Sequence, residues 1–231
     1  MRVFGIDLIG YNLYHSNDKL LQKIIDHFEI RTILDIGANV GQYIEGVVRH
    51  GYKGQIYSFE PIPSVFQKLS RESKKYPNVK TFNLGVGSKE TEIMMNIAEN
   101  FASSSILNVG EVSLAAEPKT RTTHQEKIKI TTIDSFFMNN KPFHKEILLK
   151  LDIQGYELEA LKGAMQSLPS IKLIQTEMSF TSLYDGAPLY DEVVTFLNQQ
   201  GFEIFTIIPG FRDERSGRML QADGIFVRKK E

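Results

Sequence analysis

From residue 16 to residue 228 the chain alternates short apolar runs with stretches of helical periodicity. That alternation leaves few architectures open. A strand, a helix and a second strand in succession make a right-handed parallel crossover, and a series of them builds one sheet with helices on both faces. The exception lies at the end, where runs at 203–208 and 222–228 are joined only by the turn-rich GFRDERSGR. Strands joined so directly pair antiparallel. The expected fold is therefore α/β: a doubly wound, Rossmann-like, mostly parallel sheet closed by an antiparallel C-terminal hairpin.

Residues 16–28 open with Ser16 as N-cap and set Leu20, Leu21, Ile24, Ile25 and Phe28 on one helical face. Strands are expected at 32–36, 55–59, 79–84, 91–97, 127–133, 147–151 and 171–176. Helices are expected at about 41–50, within 61–76 with Pro63 in the first turn, at 156–167 and at 190–200. Residues 98–126 read as a polar loop, and 147–151 as a wholly apolar strand. With no internal repeat and no Gly/Ser/Pro-rich linker, the 231 residues are expected to form one domain: a core over 31–231 and a helical extension over 1–30.

Composition narrows the chemistry. Lys and Arg number 27 against 28 Asp and Glu, a net charge of −1 that lacks the basic excess of a protein gripping nucleic acid through phosphates. Zero cysteines exclude a disulfide framework, a thiolate zinc site and a cysteine nucleophile. No run of consecutive apolar residues exceeds three, which excludes a membrane-spanning helix, and Asp7 and Asn12 interrupt any leader-like start. The expectation is a cytoplasmic protein acting on a small molecule, with homo-oligomerisation left open.

The most informative segment is Ile33-Leu34-Asp35-Ile36-Gly37-Ala38-Asn39-Val40-Gly41. A strand running into a glycine turn and a helix brings backbone N–H groups to the C-terminal edge of the sheet, and Gly37 and Gly41 let a ligand approach that backbone. Glu60 ends the next strand, 19 residues beyond Gly41, where a carboxylate can accept both hydrogen bonds of a ribose diol. A dinucleotide site would carry G-x-G-x-x-G around a pyrophosphate. Here the loop is G-x-N-x-G behind Asp35, and an acidic residue at the mouth suits a cationic ligand bearing an ammonium and a sulfonium, such as S-adenosyl-L-methionine. The turn after 79–84, with Val86, Gly87 and Ser88, joins Pro61 and Ile62 as natural walls for an adenine.

The segments LDIGANVGQY, YSFEPIPSVFQKL, NLGVGSKE, ASSSIL, ITTIDSF and LLKLDIQGYELEALKGA, with the tail from TEMSF through SLYDGAP to LQADGIFVR, resemble the FkbM family of S-adenosylmethionine-dependent O-methyltransferases over about 30–228. The resemblance implies a class I methyltransferase sheet in the order 3-2-1-4-5-7-6 and a hydroxyl-bearing acceptor, such as a sugar or secondary metabolite. It places Asn39 where the wider class has a glycine, and Gln154 where many members have Glu. In that order the crevice opens between strands one and four.

Asp152 ends the strand LLKL at that crevice and is the candidate general base or cofactor anchor; capping the helix near Tyr156 is its structural alternative. Glu157 in that helix's first turn fits the helix dipole. Glu177 ends the following strand and could hold a divalent cation together with Asp152. His124, in the middle loop, is a second candidate base; His15, His27, His50 and His144 share no site-like spacing. Ser103, Ser104 and Ser105 are candidate cofactor or substrate contacts, Ser104 for the cofactor, and Tyr184 and Asp185 for the acceptor. Two rival readings share the strand–glycine turn–helix layout: an NAD(P)-binding oxidoreductase and a non-catalytic nucleoside-binding module.

Overall fold

A computed structural model describes residues 2–3, 6–7, 16–140 and 146–229. In chain order the elements are β1 (Arg2–Val3), β2 (Ile6–Asp7), α1 (Asn17–His27), β3 (Thr32–Ile36), α2 (Gln42–Arg49), β4 (Gln55–Phe59), α3 (Pro63–Ser73), β5 (Val79–Phe82), β6 (Gly85–Val86) and β7 (Thr91–Ala98). There follow α4 (Glu111–Ala116), β8 (Thr122–Thr131), α5 (Ile133–Asn139), β9 (Ile147–Leu151), α6 (Glu157–Lys162), β10 (Ile171–Ser179), α7 (Tyr190–Gln199), β11 (Phe202–Pro209) and β12 (Gln221–Arg228). Local signals act where they were read. The Ser16 hydroxyl accepts from the Lys19 N–H at 3.3 Å to start α1, and Pro63 occupies the first turn of α3. The rest of the expected N-terminal extension before residue 16 lies outside the described residues, β1 and β2 excepted.

The main sheet has seven strands in the order β11-β12-β10-β9-β3-β4-β5. Counted from β3, this is the expected 3-2-1-4-5-7-6. β3, β4, β5, β9 and β10 run parallel, while β12 is antiparallel to both of its neighbours. Side-chain alternation gives the sheet two cores. Leu34, Ile36, Leu149, Leu151 and Ile174 pack with Phe136 of α5, Leu161 of α6 and Leu197 of α7. Ile33, Leu148, Leu173 and Ile225 pack on the opposite face against Ile24 of α1, Ile44 of α2 and Leu69 of α3. The order reverses between β3 and β9, so the crevice at their C-terminal ends is where a ligand site belongs.

The middle of the chain departs from the expected reading. Residues 98–126 are not a loop: they hold α4, a 3-10 turn at Pro118–Thr120 and the first half of β8. β7 and β8 pair antiparallel, and with β6 they form a separate three-stranded sheet in the order β6-β8-β7. Ile97, Met95, Ile128 and Ile130 of this sheet bury against Ile62 and Val65 at the start of α3. The expected strand at 127–133 stops at Thr131, because the Thr132 hydroxyl accepts from the Ser135 N–H and starts α5. A capping threonine among β-branched neighbours reads as strand until its partner three residues on is seen. The helix expected over 156–167 is shorter, ending at Lys162.

Candidate active site

The crevice between β3 and β9 opens into a cavity with about 860 Å³ of empty space counted out to its mouth. Gly37, Asn39, Glu60, Pro61, Ile62, Val86, Ser104, Asp152 and Glu177 line it, so most of the expected residues converge. Leu84, Met95, Phe101, Ile106, Ile128 and Ile130 form an apolar flank supplied largely by the small sheet.

The glycine turn is fixed from both sides. A Cβ on Gly37 would stand 1.9 Å from the Asp152 carbonyl oxygen, so only glycine lets the ends of β3 and β9 approach this closely, and its φ of +78° is also one that side chains avoid. Asn39 has φ +49°, a left-handed conformation that asparagine tolerates best after glycine, which accounts for its presence in place of a third glycine. The N–H groups of Asn39 and Ile62 donate to the two Glu60 carboxylate oxygens at 3.0 and 2.9 Å. Glu60 thereby closes the turn and still presents unused lone pairs to the cavity. Burial pushes its pKa up to about 7, against the opposing pull of those two backbone donors. Gly41 caps α2 behind the turn and does not line the cavity.

Asp35 is a correction. It does not present its charge at the mouth: it is fully buried, with Lys150 Nζ 3.0 Å from Oδ1 and the Ser58 hydroxyl donating to Oδ2 at 3.3 Å. The three residues stand in register across β4, β3 and β9. The same ammonium donates to the Gly37 carbonyl at 3.1 Å and lies 3.5 Å from Asp152. Burial opposes its charge, but Asp35 and Asp152 more than offset that and hold its pKa above the usual lysine range. The strand LLKL is therefore not wholly apolar, and sequence reading passed over its key residue. A lysine midway along an otherwise buried strand was the available signal.

Beyond Asp35 the carboxylates outnumber their cation. Gln154, at φ +57°, donates from one amide nitrogen to Asp152 at 2.9 Å and to Glu177 at 2.8 Å. The Tyr184 hydroxyl donates to its amide oxygen at 2.7 Å, which keeps the nitrogen turned toward the two acids. Glu177 is pushed well above the normal carboxylate range by burial and by the nearby charges of Asp152, Glu157 and Asp223. Asp223, held by Gln175 at 3.0 Å, is likewise raised, chiefly by burial. One lysine thus faces four acids, Asp35, Asp152, Glu177 and Asp223, and the raised pKa values of Glu177 and Asp223 record that crowding.

Other expected residues fall elsewhere. His124 is on β8, half exposed, bound to Glu126 and Thr123, and outside the cavity lining; its loop assignment is corrected. His15 and His144 lie outside the described residues. The Ser88 hydroxyl donates to Glu159 at 2.6 Å, and Gly87 packs against Tyr156, so neither lines the cavity. Asp152 does not cap α6, whose N-cap Tyr156 receives no side-chain bond. Instead Glu157 accepts from the N–H groups of Ile153 and Gly155 and shapes that turn. Ser104 Oγ accepts from the Ala98 N–H, and Ser105 Oγ donates to the Gln154 carbonyl, so both hydroxyls shape the wall. Asp152 and Glu177 share Gln154's amide nitrogen, and among the described residues no group of three or more acidic or histidine side chains is arranged to hold a metal.

The family profile of the methyltransferase FkbM domain matches residues 35–204, most of the chain and nearly all of the site. The chain belongs to the FkbM methyltransferase family. The hexuronic acid methyltransferase AglP of Haloferax volcanii is 25% identical over 195 residues, covering 80% of this chain and 74% of that one. Methyltransferase sdnD of Sordaria araneosa is 24% identical over 194 residues, 74% of this chain and 73% of its own length. Among solved structures, Aeropyrum pernix fibrillarin with natively bound S-adenosyl-L-methionine superposes with a TM-score of 0.50 at 14% identity, over 98% of this chain and 84% of that one, a likeness of fold. The protein is a methyltransferase, and the oxidoreductase reading is set aside. No helix among the described residues is long and apolar enough to cross a membrane.

Two outcomes follow for the site. Lys150→Met should destabilise the fold by about 3–5 kcal/mol in denaturant unfolding, because Asp35 is left buried and unpaired; Lys150→Met with Asp35→Leu should recover part of that loss. Burial raises the Glu60 pKa to about 7, so its carboxylate gains charge as pH rises from 6 to 8. S-adenosylhomocysteine should accordingly bind more tightly as pH rises from 6 to 8 in calorimetric titration, and Glu60→Gln should flatten that dependence.

Proposed function

We propose that the protein is an S-adenosyl-L-methionine-dependent O-methyltransferase acting on a hydroxyl of a small molecule, such as a sugar. The observation that carries this reading is the Glu60 carboxylate. Two backbone N–H groups hold it at the C-terminal end of β4, beside the glycine turn, with lone pairs left for a ribose diol. The fit extends to charge: an ammonium and a sulfonium beside Asp152 and Glu177 would favour the ionised forms of these acids, whereas a pyrophosphate would meet the Asp152 carboxylate. The apolar flank at Leu84, Met95, Ile128 and Ile130 gives an adenine a dry wall. When bound, that donor supplies a methyl group already activated on a positively charged sulfur.

The chain's own task is then alignment and proton removal. Gly37 and Asn39 bring backbone to the donor's edge, and the small sheet excludes water from the adenine side. Holding nucleophile and methyl in line contributes roughly 7–11 kcal/mol of barrier lowering in well-oriented systems. Asp152, about two-fifths exposed at the cavity rim, is the residue suited to take the hydroxyl proton or to hold the donor's ammonium. Glu177 lies beside it across the Gln154 amide. The choice of a sugar as acceptor is supported by the similarity to AglP, a hexuronic acid methyltransferase. Asp152 and Glu177, the pair expected to hold a divalent cation, share the Gln154 amide as a donor.

Thermal melting tests the donor directly. S-adenosylhomocysteine at 100 times its Kd should stabilise the fold by about 2.7 kcal/mol, whereas NAD should leave the transition unmoved. A shift with NAD alone would reverse the reading. Asp152→Asn should melt near wild type yet transfer labelled methyl to glycosides or hexuronic acids about 10²–10⁴-fold more slowly; transfer at an undiminished rate would give Asp152 the wrong part.

A further inference from the structure

A second cavity adjoins the first, with about 630 Å³ of empty space counted out to its mouth, and shares Ala102 and Gln154 with it. Three parts of the chain meet there. Asn100, Ser103 and Thr120 come from the connection between β7 and β8, Tyr184 from the loop after β10, and Phe211 and Gln221 from the C-terminal hairpin. The wall between the two cavities is made of the groups that hold the acid pair. Gln154 takes the Tyr184 hydroxyl on one side and gives its amide nitrogen to Asp152 and Glu177 on the other, and Gln221 Nε2 lies 3.4 Å from the same Glu177 oxygen. A ligand in the second cavity therefore stands one side chain away from both carboxylates.

We infer that this second cavity is the acceptor subsite, and that it takes a neutral, polyhydroxylated ring such as an uncharged glycoside in preference to a hexuronic acid. The inference rests on the donor occupying the first cavity. Asparagine, serine, threonine, glutamine and tyrosine side chains each donate or accept, which suits a ring whose every hydroxyl does both. Phe211, half-buried at the edge, offers the apolar face on which the C–H side of such a ring can lie. Charge decides against an acid. Glu117 is the one ionisable carboxylate in the lining, the described lining holds no lysine, arginine or histidine, and Glu177 stands behind the partition. A carboxylate brought into this space would lose water and find no counter-ion.

The chain contains no tryptophan, so Phe211→Trp would place a sole indole fluorophore at the cavity's edge. In that variant saturated with S-adenosylhomocysteine, methyl β-D-glucopyranoside should change the emission saturably, and D-glucuronate should require at least a tenfold higher concentration. Saturation-transfer NMR on the unmodified protein gives an independent reading. Signals from the glucoside should appear with wild type and vanish with Ser103→Trp, which fills the cavity, while the thermal shift given by S-adenosylhomocysteine stays the same. A preference for glucuronate, no response to the glucoside in either experiment, or glucoside signals that survive Ser103→Trp would overturn the assignment. Loss of the S-adenosylhomocysteine shift in wild type would strike the donor reading instead.

Discussion

The buried pair of Lys150 and Asp35 is the interaction on which the rest of the site depends. It joins β9 to β3 at the place where the order of the sheet reverses, and the same ammonium holds the Gly37 carbonyl and reaches toward Asp152. Two charges taken out of water are expensive unless their geometry and further hydrogen bonds compensate, which is why Ser58 completes the coordination of Asp35. A hydrophobic pair could fill the same volume. It could not orient a carbonyl of the glycine turn while lending positive charge to an acid at the rim.

This pair also decides what the remaining acids are for. Because Lys150 is committed to Asp35, it only partly balances Asp152, Glu177 and Asp223, and burial with mutual repulsion holds Glu177 and Asp223 toward their protonated forms. A cationic donor would therefore be favoured by Asp152 and by the readiness of Glu177 to ionise beside it, not by Asp35. Gln154 contributes a neutral donor between two acids, held in a strained left-handed turn with its amide orientation set by Tyr184. That is a fixed spacing of carboxylates without a further charge.

The elements of the main sheet were legible because each is set by local chemistry: Ser16 and Pro63 start helices, and runs such as Thr32–Ile36 and Gln55–Phe59 are buried strands bounded by turn residues. Glu60 was legible for the same reason, since its position at a strand end follows from the pattern. What could not be read were facts of register. That Asp35 faces Lys150 depends on how β3 and β9 align, and nothing local to either strand states it. The small sheet was hidden similarly. The polar residues Thr122–Glu126 resemble a loop until β7 pairs with them, and that pairing sets Met95, Ile128 and Ile130 as a cavity wall and carries His124 away from it.

The central claim is that the turn held by Lys150 and Asp35 presents Glu60 to the ribose of an adenosyl donor. The most direct measurement is a crystal structure of the protein with S-adenosylhomocysteine. It should show both ribose hydroxyls within hydrogen-bonding distance of the Glu60 carboxylate, the adenine against Met95 and Ile130, and the sulfur directed toward Asp152. A ligand lodged outside the crevice, or bound there with its ribose turned away from Glu60, would contradict the account.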